Sequence, residues 1–314
     1  MKQIAIIGAG NWGTALAIIA TRAGHNVNLW SRSPARINLP VAVTNDLHEA
    51  VRDASMVLFA APSHTARELL TAISPLLAEA AIIVSVSKGI EIETGKRISE
   101  IAKEVVGSAY PFVCLSGPSF AKEVVAGYPT AIVAASKDAA AARAVQNDLS
   151  FENLRIYTNS DVIGTEIGGS VKNVMAIAAG MTSGLGFGSN SVAALITRGL
   201  AEITRLARRE GAQIETLMGL AGLGDLVLTC TGSLSRNRFV GEELGKGKTL
   251  AEITAGMTEV AEGINTARAV KKLADRAGLE MPITNEVNAV LYDGKPARDA
   301  VAELMSRPLR EEIN

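Results

Sequence analysis

The sequence is poor in the residues that several kinds of chemistry require. It has two cysteines, Cys114 and Cys230, too far apart in the chain to form a metal-ligand cluster. Both are therefore expected as reduced thiols of a cytoplasmic protein. The three histidines, His25, His48 and His64, show neither metal-ligand spacing nor an H-E-x-x-H pattern, and no metal site is expected. No Ser/His/Asp or Cys/His nucleophile arrangement stands out either. Charge of either sign is not in excess, with 31 Lys and Arg against 32 Asp and Glu and a net charge of −1. That balance gives no general electrostatic reason to expect nucleic acid or an anionic membrane as a partner. A run of about 18 uninterrupted apolar residues, the length a membrane span needs, is also lacking. The most apolar region, residues 174–195, is broken by glycine, serine, threonine and asparagine. Met1-Lys2 and the apolar residues after them look like the start of a signal peptide, but glycines interrupt the stretch and no small-residue cleavage site follows.

What is present is a long chain able to bury large cores: 314 residues, 48% of them hydrophobic. That length favours two domains. In the first half, short apolar runs at residues 4–7, 27–30, 56–60, 81–86, 112–115, 130–134 and 154–157 read as buried strands. Helix-like segments at 12–23, 66–77, 95–106 and 139–149 lie between them. Such alternation predicts a parallel sheet covered on both faces. After about residue 158 strand-like runs almost vanish, and alanine-, leucine- and glutamate-containing stretches such as 192–210 and 263–277 take over. The expected fold is α/β: a Rossmann-type doubly wound parallel sheet over residues 1–158, then an all-helical substrate and catalytic domain over residues 159–314.

Gly8-Ala9-Gly10-Asn11-Trp12-Gly13 is a G-x-G-x-x-G pattern between the first strand and the first helix, with a second strand at the expected distance. Each glycine has a physical task. Gly8 permits a tight turn, Gly10 lets a pyrophosphate approach the backbone, and Gly13 allows helix and strand to pack closely. The helix N-terminus then offers N–H groups and partial positive charge to the phosphates. A dinucleotide is the implied cofactor. At the end of the second strand, Trp30-Ser31-Arg32-Ser33 provides no carboxylate for a ribose 2′-hydroxyl. Arg32 suits a 2′-phosphate instead. NADP(H) is therefore expected as the preferred cofactor, with NAD(H) possible.

Three polar segments fall where strands should end: Ala61-Pro62-Ser63-His64, Ser87-Lys88-Gly89, and 116–123, which includes Gly117, Ser119 and Ala121. Ligands bind at the carboxyl ends of parallel strands in such sheets. Lys88 is the cation there, suited to an oxyanion or phosphate. In the helical half, Glu166-Ile167-Gly168-Gly169-Ser170-Val171-Lys172-Asn173 places a lysine inside a largely apolar helix. Burial lowers a lysine's proton affinity toward neutrality, which makes Lys172 the candidate general acid/base. Asp225, in Gly222-Leu223-Gly224-Asp225, could orient that lysine by an ion pair. Arg236 offers a rigid fork of donors for phosphate, with Ser235, Thr229 and Asn237 as neutral donors. Ser235 also reads as a helix N-cap.

Taken together, these segments resemble the bacterial glycerol-3-phosphate dehydrogenases [NAD(P)+] over nearly the whole chain. The resemblance rests on G-A-G-N-W-G-T-A, A-P-S-H, S-K-G, S-G-P-S-F-A-K-E, G-G-S-V-K-N-V, G-L-G-D-L-V-L-T-C and S-R-N-R, in order and at matching spacing. Val260, Glu262-Gly263, Met281-Pro282-Ile283-Thr284 and 291–295 extend it. It implies a 6-phosphogluconate-dehydrogenase-like helical domain and hydride transfer between dihydroxyacetone phosphate and glycerol 3-phosphate. It also implies a small phosphorylated substrate, a homodimer and a role in phospholipid synthesis. By the resemblance, Gly8, Gly10, Asn11, Trp12, Gly13, Arg32, Lys88, Ala121, Arg236, Val260 and Glu262 would meet the cofactor. Lys88, Gly117, Ser119, Lys172, Asp225, Ser235, Arg236 and Asn237 would meet the substrate, with Lys172 as proton acceptor. One departure is visible. The family usually has a longer connection after Arg32, with a Tyr-Leu-Pro motif; here residues 33–44 are short and keep only Leu39-Pro40. Another two-domain hydroxy-acid or ketopantoate-type dehydrogenase is the nearest alternative, and a non-catalytic NAD(P)H-binding sensor a remoter one.

Overall fold

The computed structural model of the chain describes residues 1–33, 41–257, 260–309 and 311–312. Its N-terminal half is built on eight strands: β1 (Gln3–Ile7), β2 (Asn26–Trp30), β3 (Ala42–Thr44), β4 (Met56–Phe59), β5 (Ile82–Ser85), β6 (Phe112–Ser116), β7 (Thr130–Ala135) and β8 (Leu154–Asn159). They form one sheet in the order β3-β2-β1-β4-β5-β6-β7-β8. Helices α1 (Asn11–Arg22), α2 (Leu47–Val51), α3 (Ala66–Ile73), α4 (Ile98–Val105), α5 (Ala121–Val125) and α6 (Ala139–Leu149) connect them. Side chains alternate across a strand. Ile4 and Ile6 therefore pack under α1 and α6 with Leu16, Val145 and Leu149. Ala5 and Ile7 pack on the opposite face against Leu70, Ile73 and Ile101 of α3 and α4. The sheet is doubly wound, as its apolar runs imply.

Two features differ from the expected sheet. β3 is an additional strand, three residues long and without an apolar run, which pairs parallel to β2. The sheet is also not wholly parallel, because β6 and β7 pair antiparallel and β8 follows β7. A parallel return needs a crossover of a dozen or more residues, usually helical. Here the only helix between β6 and β7 is the five-residue α5. The connection stays at the end of the sheet where β6 finishes, and β7 starts back from there.

The second half is helical: α7 (Val162–Gly184), α8 (Ser189–Arg209), α9 (Ile214–Met218), α10 (Asp225–Thr231), α11 (Arg236–Gly245), α12 (Leu250–Ala255), α13 (Glu262–Ala277), α14 (Pro282–Tyr292) and α15 (Ala297–Met305). A π-helical turn, Leu220–Gly224, leads into α10. Helix α7 is the axis of this domain and is buried from Gly164 to Thr182. Its tightest partner is α11. A Cβ at Gly180 would lie 2.0 Å from the Arg238 carbonyl oxygen, and one at Gly241 would lie 1.9 Å from that of Ile177. Only glycine admits this approach, and it fixes the start of α11 against the middle of α7. Among the described residues no helix is long and apolar enough to cross a membrane.

Candidate active site

The nucleotide fingerprint adopts the geometry its glycines suggest. Gly8 has φ +117°, and a Cβ there would sit 2.7 Å from the Ala60 backbone. A Cβ on Gly13 would lie 1.9 Å from the Gly8 carbonyl oxygen. A side chain at either position would force the neighbouring backbone to shift. Gly10 differs, because among the described residues nothing lies within 4 Å of its hypothetical Cβ. It faces open space at the N-cap of α1, where no side chain caps the first turn and no acidic residue lies within it. These orphan amides and the helix dipole suit a pyrophosphate, so the residues present fit a dinucleotide. Trp12 is half-buried, and Asn11 and Arg32 are exposed at the same end of the sheet. Most of the short connection after Arg32, residues 34–40, lies outside the described residues.

The ends of β4, β5 and β6 bring the next three segments together. The Ser87 hydroxyl donates to the Ala61 carbonyl at 2.5 Å and so ties the two loops. Lys88 Nζ donates to the Gly117 carbonyl oxygen at 3.1 Å. The Ser119 hydroxyl donates to the same carbonyl at 3.1 Å. Gly117 has φ +137°, and a Cβ there would meet Ile132 at 2.9 Å. Ala121 opens α5 beside this turn.

From the helical domain, α7 delivers Lys172 and α10 delivers Asp225. Lys172 Nζ donates to Asp225 Oδ1 at 2.8 Å and to Thr229 Oγ1 at 2.6 Å. Lys88 Nζ, from the other domain, donates to Asp225 Oδ2 at 2.6 Å. One carboxylate, its side chain 2% exposed, thus holds two ammonium groups. Thr229 donates its own proton to the Asp225 carbonyl at 2.6 Å, which leaves Oγ1 to accept from Lys172. It stands one helical turn after Asp225, a spacing that puts both on one face. Thr229 therefore supports the lysine rather than a phosphate, its expected partner.

Electrostatics at this centre follow from burial. Desolvation pulls Lys172 down to about 8, a fall that Asp225 opposes and the nearby Lys88 charge increases. Burial pushes the Asp225 carboxyl up, but Lys172 and Lys88 outweigh it and hold it below the usual aspartate range. Burial raises the neighbouring Cys230 thiol to about 12, so it stays protonated and inert. Cys114 is likewise free and buried. No group of three or more metal-ligating side chains occurs among the described residues.

The start of α11 lies against the middle of α7. Ser235 caps it, accepting from the Arg238 amide at 3.2 Å. Arg236 stands exposed at the first helical position. The Asn237 side chain is occupied within the protein: its Nδ2 donates to Asn173 Oδ1 at 2.9 Å, and its Oδ1 accepts from the Gly263 amide at 2.9 Å. What Asn237 still offers a ligand is its backbone N–H in the first turn. Val260 is exposed. The Glu262 carboxylate accepts from the amide and hydroxyl of Ser63 at 3.0 and 2.5 Å, across the gap between the domains.

A second junction had no role in the sequence reading. Glu166, less than two turns before Lys172 on α7, accepts from the Ser99 amide at 2.7 Å and the Ser99 hydroxyl at 2.5 Å. Burial raises its carboxyl to about 7. It joins the start of α4 to α7. His64 is exposed at the cleft edge.

The chain is similar to known proteins over nearly its whole length. The model of the NAD-dependent glycerol-3-phosphate dehydrogenase C-terminus matches residues 161–302. The N-terminal model of the same enzymes matches in two pieces, 3–39 and 35–142, which meet at the short connection after Arg32. The glycerol-3-phosphate dehydrogenase [NAD(P)+] of Koribacter versatilis is 51% identical over 335 aligned positions, covering 100% of this chain and 99% of the relative. That of Citrifermentans bemidjiense is 50% identical over 331 positions, covering 99% of each. Both alignments are longer than the 314 residues of this chain. The crystal structure of glycerol-3-phosphate dehydrogenase from Coxiella burnetii superposes with a TM-score of 0.94 at 38% identity, covering 98% of this chain and 99% of that one.

Proposed function

The chain belongs to the glycerol-3-phosphate dehydrogenase [NAD(P)+] family, and on that premise we propose that Lys172 is the acid/base in the reversible interconversion of dihydroxyacetone phosphate and sn-glycerol 3-phosphate. The protein is an NAD(P)-dependent oxidoreductase acting on a CH–OH group. The observation that carries the assignment of Lys172 is its buried ion pair with Asp225, joined by Lys88 from the other domain.

The nicotinamide, when bound, gives or takes the hydride. The chain's own residues supply the rest. In oxidation, neutral Lys172 accepts the proton of the C2 hydroxyl on Nζ. In reduction, protonated Lys172 donates to the developing C2 alkoxide. A pKa near 8 makes both forms accessible around neutral pH. Asp225 keeps the ammonium groups of Lys172 and Lys88 together where substrate oxygens would lie. Lys88, Gly117 and Ser119 line the substrate end of the cleft. Arg236, Ser235 and Asn237, with the first amides of α11, hold the remote phosphate, and its binding energy orients the reacting carbon.

Residues 1–158 form the cofactor domain in this reading, and 159–314 the substrate and catalytic domain. The fingerprint glycines, Asn11, Trp12, Lys88, Ala121, Arg236, Val260 and Glu262 line the cofactor, and Arg32 favours NADP(H) over NAD(H). The setting is a cytoplasmic homodimer that supplies glycerol 3-phosphate for phospholipid synthesis. The test is NADPH oxidation with dihydroxyacetone phosphate and with dihydroxyacetone lacking the phosphate. Turnover confined to the phosphate ester supports the reading. Equal turnover of both, or preference for a hydroxy-acid precursor such as ketopantoate, refutes it.

A further inference from the structure

The loops after β4 and β5 form one unit at the cleft. Ser63 is buried, and a Cβ on Gly89 would lie 2.2 Å from the Ser63 hydroxyl oxygen and 3.5 Å from Glu262 Oε2. The serine therefore fits only because residue 89 has no side chain. Gly89 directly follows Lys88, and the Ser87 hydroxyl, bonded to the Ala61 carbonyl, ties the same two loops from the other side. The Glu262 carboxylate, first residue of α13 in the helical domain, grips this unit through both the amide and the hydroxyl of Ser63. The neighbouring residue, Lys88, is the one that reaches Asp225.

We propose that Ser63 and Glu262 form an interdomain clasp that positions Lys88 on Asp225, so that closing the two domains assembles the Lys88–Asp225–Lys172 centre. Both are positioning residues, and for Glu262 this role is distinct from the cofactor contact inferred above. The inference rests on Lys172 being the acid/base.

It has a consequence that loss of packing alone does not share. Among the described residues, the titratable groups that act on Lys172 are Asp225 and Cys230 on α10 and Lys88 on the β5 loop. Of these, Asp225 raises the proton affinity of Lys172, Lys88 lowers it, and the thiol of Cys230 is uncharged in the working range. An opened clasp draws the Lys88 charge away and leaves Asp225 to Lys172 alone. Lys172 then titrates at higher pH.

The experiment is the pH profile of kcat/KM for dihydroxyacetone phosphate at saturating NADPH, for wild type, Ser63→Ala, Glu262→Ala, Glu262→Gln and the Ser63→Ala/Glu262→Ala pair, with Tm measured for each. Ser63→Ala and Glu262→Ala are expected to move the inflection upward by roughly one unit, tenfold in proton affinity. The double variant should move it no further than Glu262→Ala, because both changes open one contact. Glu262→Gln, which still offers a carbonyl oxygen to the Ser63 amide, should lie between. An inflection unmoved in Ser63→Ala and Glu262→Ala, with only NADPH affinity reduced, overturns the clasp while leaving Lys172 in place. A wild-type profile without an inflection that Lys172→Gln abolishes overturns the assignment of Lys172, and the clasp with it.

Discussion

Asp225→Asn keeps the shape of the proposed catalytic centre and removes the carboxylate that pairs with both Lys172 and Lys88. Lys172 stands at about 8 rather than 10.5. At about 1.4 kcal/mol per unit, burial and Lys88 together disfavour its ammonium by a net of roughly 3 kcal/mol even with Asp225 present. Asp225 Oδ1 lies 2.8 Å from Nζ. At an effective dielectric of about 20 such a contact is worth several kcal/mol, an upper bound because the amide oxygen of the substituted side chain still accepts a hydrogen bond. Even a third of that lowers Lys172 by more than about one unit. The inflection in kcat/KM should therefore fall from near 8 to about 7 or below. The sign is fixed by the charge removed: loss of an anion disfavours the ammonium, the reverse of opening the Ser63–Glu262 clasp. At any one pH the ratio of forward to reverse kcat/KM is set by the reaction equilibrium, so both directions must shift together. The assay is initial rates in both directions across the pH range, with Tm to confirm folding. An inflection that stays near 8, or rises, refutes the electrostatic account of Lys172.

Other residues give separate tests. Arg236→Ala should reduce kcat/KM for dihydroxyacetone phosphate by about ten- to a hundredfold, the worth of a charge-assisted hydrogen bond to phosphate, with NADPH affinity changed less; an unchanged KM takes Arg236 out of phosphate binding. Arg32→Ala should reduce kcat/KM with NADPH more than with NADH, and equal losses remove it from 2′-phosphate recognition. Gly10→Ala and Gly13→Ala should separate cofactor approach from packing. A methyl at Gly10 meets nothing within 4 Å among the described residues, whereas one at Gly13 collides with the Gly8 carbonyl at 1.9 Å. Gly10→Ala should therefore weaken NADPH binding with Tm almost unchanged, and Gly13→Ala should lower Tm by several degrees, as overpacking of about 1–3 kcal/mol implies. A Gly10→Ala protein that binds NADPH normally contradicts the pyrophosphate position.

Much of this architecture was legible because its signals are local. β1, the glycine fingerprint and α1 are contiguous, and Gly8 and Gly13 answer to clashes within a few residues or with the adjacent strand, while Gly10 leaves room for a ligand. The chemistry-bearing segments also read as motifs, since Lys88, Lys172 and Asp225 each lie in short polar or glycine-containing runs. β3 escaped notice because Ala42–Thr44 is too short and too exposed to form an apolar run. The reversal of β7 and β8 escaped because a strand's own sequence does not state its direction; only the brevity of α5 hinted at it. The full length of α7 was obscured because burial on all sides erases the helical period, and its glycines read as interruptions. The pairings that span the domains, Ser63 with Glu262, Ser99 with Glu166 and Lys88 with Asp225, join residues 67 to 199 positions apart. No periodicity carries that information. Asn237 shows a related limit, because its place in the S-R-N run suggested a donor to ligand, while its amide bridges Asn173 and Gly263.

In the proposed mechanism a buried, Asp225-paired Lys172 moves the proton while the rest of the protein binds and orients. Single-turnover oxidation of bound NADPH by saturating dihydroxyacetone phosphate, compared between wild type and Lys172→Ala, tests it most directly. The step in Lys172→Ala should be slowed by about 10²- to 10⁴-fold, the usual worth of a positioned acid/base, with the NADPH dissociation constant within a few-fold of wild type. A near-normal single-turnover rate in Lys172→Ala would contradict it.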